Sequence, residues 1–400
     1  MSEKEINSEE FLDSSRKKAG DFTRKRNLPF PKLCVFLLGI VRECLSVAFR
    51  RFTEKIGEEI TMTQQSLSEA RDKIRWEAFA SLSHTLGKFA YTGDYERWNG
   101  YRVWGTDGSK FALPNHPSLA ETFGDEKGSP MARGSVLYDV INYTVFDGQI
   151  EPLSVDERTL AKRHIDALSE RMGIHIEKEL IIYDRGYPSE DLIDYHEING
   201  IFYLMRVRAK FNLDVDKQKS NDGYVYIGKH KVRVIKVTLD TGEIETLLTN
   251  LTENFDFKEL YFLRWGVEKA FDVLKNTLEI ENFSGKTETA IRQDFHIHII
   301  ASIMLAAAFW EAQEIVDEER NSNPDTKYEY KVNMAQAVSI LRDYLIPAIL
   351  ANTKRKRTRL FVKMRRLMAD SVIPIRPNRV VQRKTNNRKA KFHHNRKSNL

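Results

Sequence analysis

The alternation of strand-like and helical segments between residues 101 and 207 constrains the fold of this chain most. Short runs rich in β-branched and aromatic residues, at 101–106 and 179–183 among others, are followed by helical segments at 156–172 and 189–197. Strands and helices that are mixed in this way are typical of a layered α/β domain. The sequence therefore predicts an α/β core.

One predicted helix carries four polar residues along a single side. Their offsets of three, seven and fourteen residues place them within an arc of about 60°, at about 100° per residue. The four residues are Tyr261, Arg264, Glu268 and Lys275. The set suits a phosphodiester substrate, because the carboxylate can hold a metal while the cations and the hydroxyl bind phosphate oxygens. A solvated, salt-bridged helix face is the alternative interpretation.

The spacing Y-x2-R-x3-E-x6-K resembles the signature of a family of insertion-sequence DDE transposases, the IS-4-like group. In that family the glutamate is the last of three catalytic carboxylates, and two aspartates at strand ends come before it. Asp107, in Gly-Thr-Asp-Gly-Ser, ends the run 101–106, and Asp184, in Asp-Arg-Gly-Tyr, ends the run 180–183. The intervals between the carboxylates are 77 and 84 residues. The resemblance covers roughly residues 95–310.

The resemblance implies a ribonuclease-H-like α/β fold in which Asp107, Asp184 and Glu268 meet and hold two Mg²⁺ ions, with Mn²⁺ as a substitute. Asp107 is the expected bridging ligand. The implied activity is that of a DNA transposase, which cuts at terminal inverted repeats and joins the ends to target DNA by phosphodiester hydrolysis and transesterification. A homodimer that synapses the two ends is implied as well.

Further residues are expected to contact the double-stranded DNA. By resemblance, Arg264 and Lys275 bind backbone phosphates near the transposon end, and Tyr261 donates a hydrogen bond to a phosphate. Arg185 is expected to neutralise the carboxylates or to touch DNA, with a structural salt bridge as an equal alternative.

A flipped base stacked on an aromatic side chain is also implied by the resemblance. The region 208–250 offers Tyr224 and Tyr226 but no tryptophan, and core packing is the favoured interpretation of both tyrosines. Trp265 is another candidate. Asp139 lies inside an apolar strand, where it is expected to be paired or hydrogen-bonded, since an unpaired buried charge is costly.

Three regions are predicted along the chain. Residues 1–92 form a helical N-terminal domain, for which the resemblance implies a part in recognising transposon ends. Residues 95–310 form the catalytic domain, with a β-rich insertion at about 208–250, in the place where the family carries one. Residues 311–400 form a helical region that ends in a basic tail.

Charge is distributed unevenly along the chain. Residues 351–400 contain 17 Lys and Arg and one acid, Asp370, so this segment carries +16. Since the whole chain carries +6, residues 1–350 carry −10. The asymmetry predicts a basic arm that binds nucleic acid, with a solubilising tail as the alternative.

Nothing in the sequence predicts export or membrane insertion. Residues 1–10 are polar and acidic, and the longest apolar run, 33–41, is shorter than the roughly 20 residues of a membrane span. Cys34 and Cys44 fit neither a zinc site nor a disulfide scaffold and are expected to be core thiols in a reducing cytosol. The expected location is the bacterial cytoplasm, in association with the nucleoid.

Two other activities are compatible with parts of the pattern. A ribonuclease-H-like nuclease without strand transfer would use the same carboxylates, and a catalytically silent derivative would only bind DNA. The presence of all the carboxylates and signature residues argues against the silent derivative. A glycosidase with paired carboxylates would not explain the basic tail.

Overall fold

The computed structural model describes residues 6–24, 26–39, 44–124, 129–170, 178–239 and 241–376 of the chain. They form two compact units. The sheet unit contains residues 87–111 and 131–272, and the helical unit contains the described parts of residues 1–86, 112–130 and 273–400. Both units are therefore discontinuous in the chain. The sequence predicts three consecutive regions instead, and the functional boundaries of those regions stay a prediction.

The secondary structure is mixed in the sheet unit and mainly helical outside it. The helices are α1 (Glu9–Ser15), α2 (Phe30–Leu38), α3 (Leu45–Ile56), α4 (Gln64–Asp72), α5 (Glu77–Phe89), α6 (Pro117–Phe123), α7 (Glu157–Leu168), α8 (Glu190–Asn199), α9 (Leu213–Lys217), α10 (Phe257–Phe262), α11 (Trp265–Asp272), α12 (Glu288–Val316), α13 (Met334–Ile349) and α14 (Lys354–Asp370). The strands are β1 (Tyr101–Ala112), β2 (Met131–Asp139), β3 (Thr144–Pro152), β4 (Lys178–Tyr183), β5 (Phe202–Val207), β6 (Asp222–Ile227), β7 (His230–Thr238), β8 (Ile244–Thr249), β9 (Tyr330–Val332) and β10 (Val372–Pro374).

The sheet unit is built on one eight-stranded sheet of order β3-β2-β1-β4-β5-β8-β7-β6. Strands β1, β4 and β5 run parallel to one another, and β2 and β3 form an antiparallel hairpin. Its core includes the fully buried side chains of Trp104, Ile181 and Tyr203. Helix α7 packs on β2 and β3, and α8 packs on β5. The ribonuclease-H-like α/β core implied by the sequence is confirmed.

The β-rich segment predicted at about 208–250 is present and extends the same sheet. Strand β8 pairs antiparallel with β5, and β7 and β6 follow outward from it. The short helix α9 comes before β6. The segment therefore widens the central sheet between the second and third carboxylates instead of forming a layer of its own.

The Asp-Gly sequence at residues 147 and 148 is typical of a hairpin turn, but the turn does not form there. Asp147 lies within β3, opposite Leu137 of β2, and the turn falls at residues 140–143, where Tyr143 has a φ of 53°. The carboxylate of Asp139 fixes this turn by accepting hydrogen bonds from the backbone N–H groups of Ile141 (2.9 Å) and Asn142 (2.8 Å). Because the carboxylate of Asp139 satisfies backbone donors of this turn, the turn forms without an Asp-Gly pair.

The single signature helix predicted around Glu268 is also wrong. Helix α10 ends at Phe262, α11 begins at Trp265, and a π-helical segment follows at Val273–Thr277. The backbone N–H of Arg264 bonds to the carbonyl of Tyr261, three residues back, at 3.1 Å. Because such a tight turn has about 3.0 residues per turn, the angles calculated for one regular α-helix do not apply across the joint.

Helix α12 is the longest helix of the helical unit. Its residue Asp294 is fully buried and bonds to Arg71 of α4, Oδ1 to Nη2, at 3.0 Å. The segment Glu288–Asn321 is long and apolar enough to cross a membrane by length and composition, and half of its apolar window is buried in the unit. The buried Asp294 and Gln293 are typical of a core helix that packs against protein.

The basic C-terminal region begins as an ordered helix. Helix α14 buries Met364, Met368 and Ala369 and leaves most of its cations exposed. Residues 377–400, which complete the predicted basic tail, lie outside the described residues. Both cysteines are free thiols, and burial raises the pKa of Cys34 well above its usual range.

Candidate active site

The register of two parallel strands brings Asp107 and Asp184 together. In β1 and β4, Gly105 lies opposite Ile182. The same register, continued by two residues, sets Asp107 opposite Asp184. Because successive side chains alternate between the faces of a sheet, both carboxylates lie on the same face as this pair. The interval of 77 residues seen in the sequence is therefore the register offset of the two strands.

The carboxylate of Asp107 is partly desolvated, and burial is the main reason that its pKa is raised to about 6. The negative charges of Glu157 and Asp184 raise the pKa further, while the N–H of Gly108, 2.8 Å from Oδ1, and the charge of Arg264 lower it. Burial and nearby negative charges disfavour the ionised form of a carboxylate unless a cation binds beside it. Asp107 therefore lies where a divalent cation would be stabilised.

Glu268 lies on α11, which packs on the strand that carries Asp107. A Cβ atom added at Gly105 would lie 2.3 Å from Cγ2 of Val267, and one added at Gly266 would lie 3.3 Å from Val140. Only a glycine at position 105 allows the helix to approach β1 so closely. This contact fixes the residue next to Glu268 over the middle of β1. Because β1 continues to Ala112, the expectation that Asp107 lies at the end of its strand is wrong.

In this structure Glu268 is paired with Arg264. Its Oε1 accepts a hydrogen bond from Nη2 of Arg264 at 2.8 Å, and the Glu268 side chain is 40% exposed. The guanidinium of Arg264 is buried over the rings of Trp265 (5.5 Å) and Tyr261 (5.9 Å). Burial lowers the pKa of Arg264, but the bond to Glu268 and the charge of Asp184 outweigh it and raise the pKa overall.

Tyr261 reaches the second aspartate from α10. Its hydroxyl donates a hydrogen bond to Oδ1 of Asp184 at 3.3 Å, and the side chain is buried. Burial and the charge of Asp184 raise the pKa of Tyr261 well above its usual range. The hydroxyl that the sequence assigns to a phosphate thus has a carboxylate as its partner here.

Each of the remaining predicted residues has surroundings of its own. Lys275 lies in the helical unit, where its Nζ is 3.6 Å from Oε1 of Glu281. Arg185 is exposed. Tyr224 and Tyr226 are 47% and 66% exposed, so the expectation that they pack in the core is wrong. They are exposed because β6 is the outer strand of the sheet. Trp265 is also exposed, at 48%.

Glu157 is a fourth carboxylate beside the aspartates, and the sequence did not reveal it. A Cβ atom added at Gly108 would lie 3.0 Å from Oε1 of Glu157, and one added at Gly186 would lie 3.6 Å from Oε2. Glu157 is thus placed between Gly108 of β1, next to Asp107, and Gly186 in the loop that carries Asp184. The sequence marks it only as an acidic residue in the first turn of α7, where acids stabilise any helix.

Arg158, the next residue of α7, fixes the loop after Asp184. Its guanidinium donates to the backbone carbonyls of Tyr187 (Nε, 3.0 Å), Gly186 (Nη2, 3.3 Å) and Pro188 (Nη2, 3.3 Å). A planar group with several donors suits such a cluster of carbonyls. The first turn of α7 therefore positions the loop after Asp184 through the hydrogen bonds of Arg158. The same turn brings the carboxylate of Glu157 close to Gly108, next to Asp107.

The residues present suit a hard divalent cation in their chemistry. Asp107, Asp184, Glu268 and Glu157 offer only carboxylate oxygens, which Mg²⁺ and Mn²⁺ prefer over thiolates. In the part of the chain that the structure describes, no three such side chains are close enough together to hold a metal as they stand. Glu268 would have to leave Arg264 to join the aspartates.

Comparisons with known proteins give a family match and a solved structure. A family model described as "Transposase DDE domain" matches residues 99–304. No curated protein sequence matches the chain. The solved structure, "Cryo-EM structure of piggyBac transposase synaptic complex with hairpin DNA", aligns with a TM-score of 0.46 and 10% identity, over 96% of this chain and 84% of that chain.

Transposases with a DDE domain generally use divalent metal ions. The family model covers more than half of the chain and includes both aspartates and Glu268. This chain therefore belongs to the transposase DDE-domain family, and it is a DNA transposase.

Proposed function

We propose that this chain is the transposase of an insertion sequence of the IS-4-like group, with the Y-R-E-K signature. It cuts at the terminal inverted repeats and joins the ends to target DNA by hydrolysis and transesterification that depend on Mg²⁺. The observation that carries the proposal is the strand register that sets Asp107 opposite Asp184, with α11 and Glu268 packed over the same strand. Two copies of the chain synapse the two ends, and the reaction takes place on DNA in the cytoplasm.

Asp107, Asp184 and Glu268 are the residues that would hold the metal ions. When bound, two Mg²⁺ ions supply an activated oxygen nucleophile and stabilise the leaving 3′ oxygen. The protein contributes the positions of the carboxylates: the strand register fixes the two aspartates, and the contact between Gly105 and Val267 fixes the helix that carries Glu268. Before the site is loaded, Arg264 neutralises Glu268 and part of the charge of Asp184.

The test of the proposal is a complete transposition reaction. DNA that carries the inverted repeats found beside the reading frame is incubated with the protein, Mg²⁺ and a supercoiled target. Excised ends and insertions with a short target duplication are expected. Cleavage without joining would support a nuclease instead, and specific binding without cleavage would support a silent derivative.

Arg264 is expected to bind a phosphate of the transposon end. Its Nε is buried and has no hydrogen-bond partner among the described residues, so one charge-bearing donor is left for a ligand oxygen. Arg185, Tyr261 and Lys275 are proposed as weaker contacts to the same DNA. Tyr261 would then exchange its bond to Asp184 for one to a phosphate.

Arg264→Ala is expected to slow the steps after first-strand cleavage by about 10²-fold, because one charged donor at the reacting phosphate is lost. The affinity for end DNA should change little, since other cations supply most of the attraction. Gel assays that separate nicking, second-strand cleavage and joining measure the effect. Arg163→Ala is the matched control, because Arg163 is an exposed cation of α7 paired with Glu151. A uniform loss of DNA binding with normal later steps would contradict the assignment.

The basic tail is expected to supply sequence-independent DNA affinity. Since α14 packs through Met364 and Met368, the truncation that leaves the described fold intact removes residues 377–400 and ends at Arg376. This segment contains eight Lys and Arg and no acid. If six of these cations contact phosphates, the slope of log K against log salt flattens by about 5, at about 0.9 per phosphate.

Binding titrations at several salt concentrations, with end DNA and with random DNA, measure this slope for the full-length and truncated proteins. Affinity should fall equally for both DNAs, because a basic arm reads charge and not base edges. An unchanged slope would mean that the tail serves solubility or another partner.

A further inference from the structure

A buried chain of hydrogen bonds ends on the backbone of Asp107. It runs through Ser135 on β2, His164 on α7 and Asp147 on β3, whose exposures are 1%, 0% and 3%. His164 is bonded to Ser135 through Nε2 (2.9 Å from Oγ) and to Asp147 through Nδ1 (2.6 Å from Oδ2). The hydroxyl of Ser135 in turn donates to the carbonyl oxygen of Asp107 at 3.2 Å.

The order of Ser, His and Asp is that of a hydrolase triad, but the burial excludes this role. A nucleophilic hydroxyl must reach a substrate carbonyl, whereas Ser135 is 1% exposed. What the chain of bonds does reach is Asp107, one of the residues proposed to hold the metal ions. Its effect on the reaction must therefore pass through the position of Asp107.

The proton of the Ser135 hydroxyl sets the direction of these hydrogen bonds. A serine hydroxyl carries one proton, and the bond to the carbonyl of Asp107 uses it. Ser135 must then accept a hydrogen bond from Nε2 of His164. On the other side of the ring, the amide nitrogen of Gln149 lies 2.9 Å from Nδ1 of His164 and donates to Oδ2 of Asp147 at 3.1 Å.

We propose that Asp147, His164 and Ser135 are positioning residues that hold the backbone of Asp107 and thereby set its carboxylate for metal binding. The inference rests on the proposed function, because it takes Asp107 as a metal ligand. The bond that Ser135 accepts from His164 makes Ser135 a better donor in turn, since linked hydrogen bonds polarise one another. The three elements β2, β3 and α7 thus brace β1 at the backbone of Asp107.

Ser135→Ala and Asp147→Asn are the test variants, and Ser135→Thr is the conservative one. Ser135→Ala and Asp147→Asn are expected to raise the Mn²⁺ or Mg²⁺ concentration that gives half-maximal cleavage by about 10–100-fold, as outer-shell substitutions at metal sites do. Ser135→Thr keeps the hydroxyl and should restore most of the metal response. Ile165→Val, at the fully buried neighbour of His164, is the control for lost packing and should leave the metal response unchanged.

A second readout does not depend on catalysis. In protein labelled with ¹⁵N-histidine, Nε2 of His164 should carry a proton, and the ¹⁵N shift of Nε2 should change in Ser135→Ala, where its hydrogen-bond acceptor is lost. An Nε2 without a proton in the unaltered protein would overturn this relay of hydrogen bonds. An unaltered metal response in Ser135→Ala and Asp147→Asn would overturn the positioning role.

The two failures are distinguishable from failure of the proposed function. If Asp107→Asn is inactive while the relay variants behave like the unaltered protein, the metal site stands and the relay does not. If Asp107→Asn itself keeps cleavage, the assignment of Asp107 is wrong. A third outcome is that Ile165→Val also weakens the metal response, with the loss in each variant proportional to its loss of stability. That result would show that the network only supports folding.

Discussion

Asp107→Asn, Asp184→Asn and Glu268→Gln are each expected to reduce DNA cleavage by at least about 10³-fold, or roughly 4 kcal/mol of transition-state stabilisation. Each change keeps the shape of the side chain and removes one negative oxygen ligand. Affinity for DNA should persist or increase, because one charge that repels phosphate is lost. Cleavage of labelled end DNA in Mg²⁺ measures the first effect, and titration without metal measures the second.

The matched control is Asp191→Asn, because Asp191 is an exposed acid of α8 paired with Lys162. It should cleave DNA at the unaltered rate. If any of the three site variants keeps a cleavage rate near that of the unaltered protein, that residue is not a ligand.

Asp107→Asn is also expected to stabilise the folded protein, although it removes cleavage. Because the pKa of Asp107 is raised from 3.8 to about 6 in the folded chain, its ionised form opposes folding by on the order of 2–3 kcal/mol at neutral pH. The metal-free protein therefore gains stability as the pH falls through about 6 toward 4, where the folded chain binds the extra proton. Asp107→Asn should remove this part of the pH dependence and raise stability at pH 7.5, measured by denaturant unfolding without metal. The loss of cleavage then cannot be attributed to unfolding.

Part of this site was predictable because it depends on local sequence. The strand runs before Asp107 and Asp184 are rich in residues with high strand propensity. The sequence did not predict the register of these strands, because a spacing of 77 residues equals a register offset only once the two strands are known to pair in parallel.

Other parts depend on tertiary contacts that no local pattern reports. The partners of Arg264 and Tyr261 follow from the joint between α10 and α11, which replaces one regular helix with two. The position of Glu157 follows from how α7 crosses the end of the sheet. The turn at residues 140–143 is fixed by Asp139 and not by the favourable Asp-Gly sequence nearby. In each case a contact between side chains or with the backbone decides the local structure, and local propensity does not.

Glu179→Ala is expected to destabilise the fold by about 3–5 kcal/mol. Glu179 on β4 lies opposite Arg102 on β1, and both are buried, at 5% and 3% exposure. Arg102 donates to both carboxylate oxygens of Glu179, and Nε1 of Trp104 donates to Oε2 at 2.6 Å. Removing the carboxylate leaves a buried guanidinium without its counter-ion and an indole N–H without its acceptor.

Urea or guanidinium unfolding measures this loss of stability. Two other variants separate its causes. Glu151→Gln breaks the exposed pair with Arg163 and should cost less than about 1 kcal/mol. Arg102→Met combined with Glu179→Leu removes both buried charges and should be much less destabilised than Glu179→Ala, because no charge is left unpaired. A double variant as unstable as Glu179→Ala would mean that the pair stabilises the sheet by its attraction alone.

The ion pair lies on β1 and β4, five residues before each of the aspartates proposed to be catalytic. It therefore locks the register that brings Asp107 and Asp184 together, since a slip of one residue would turn one carboxylate to the other face of the sheet. Molecules of Glu179→Ala that remain folded should still cleave DNA at the unaltered rate in Mg²⁺ at low temperature. A loss of cleavage in the folded fraction would show that the ion pair sets the geometry of the site directly and does not merely stabilise the sheet that carries it.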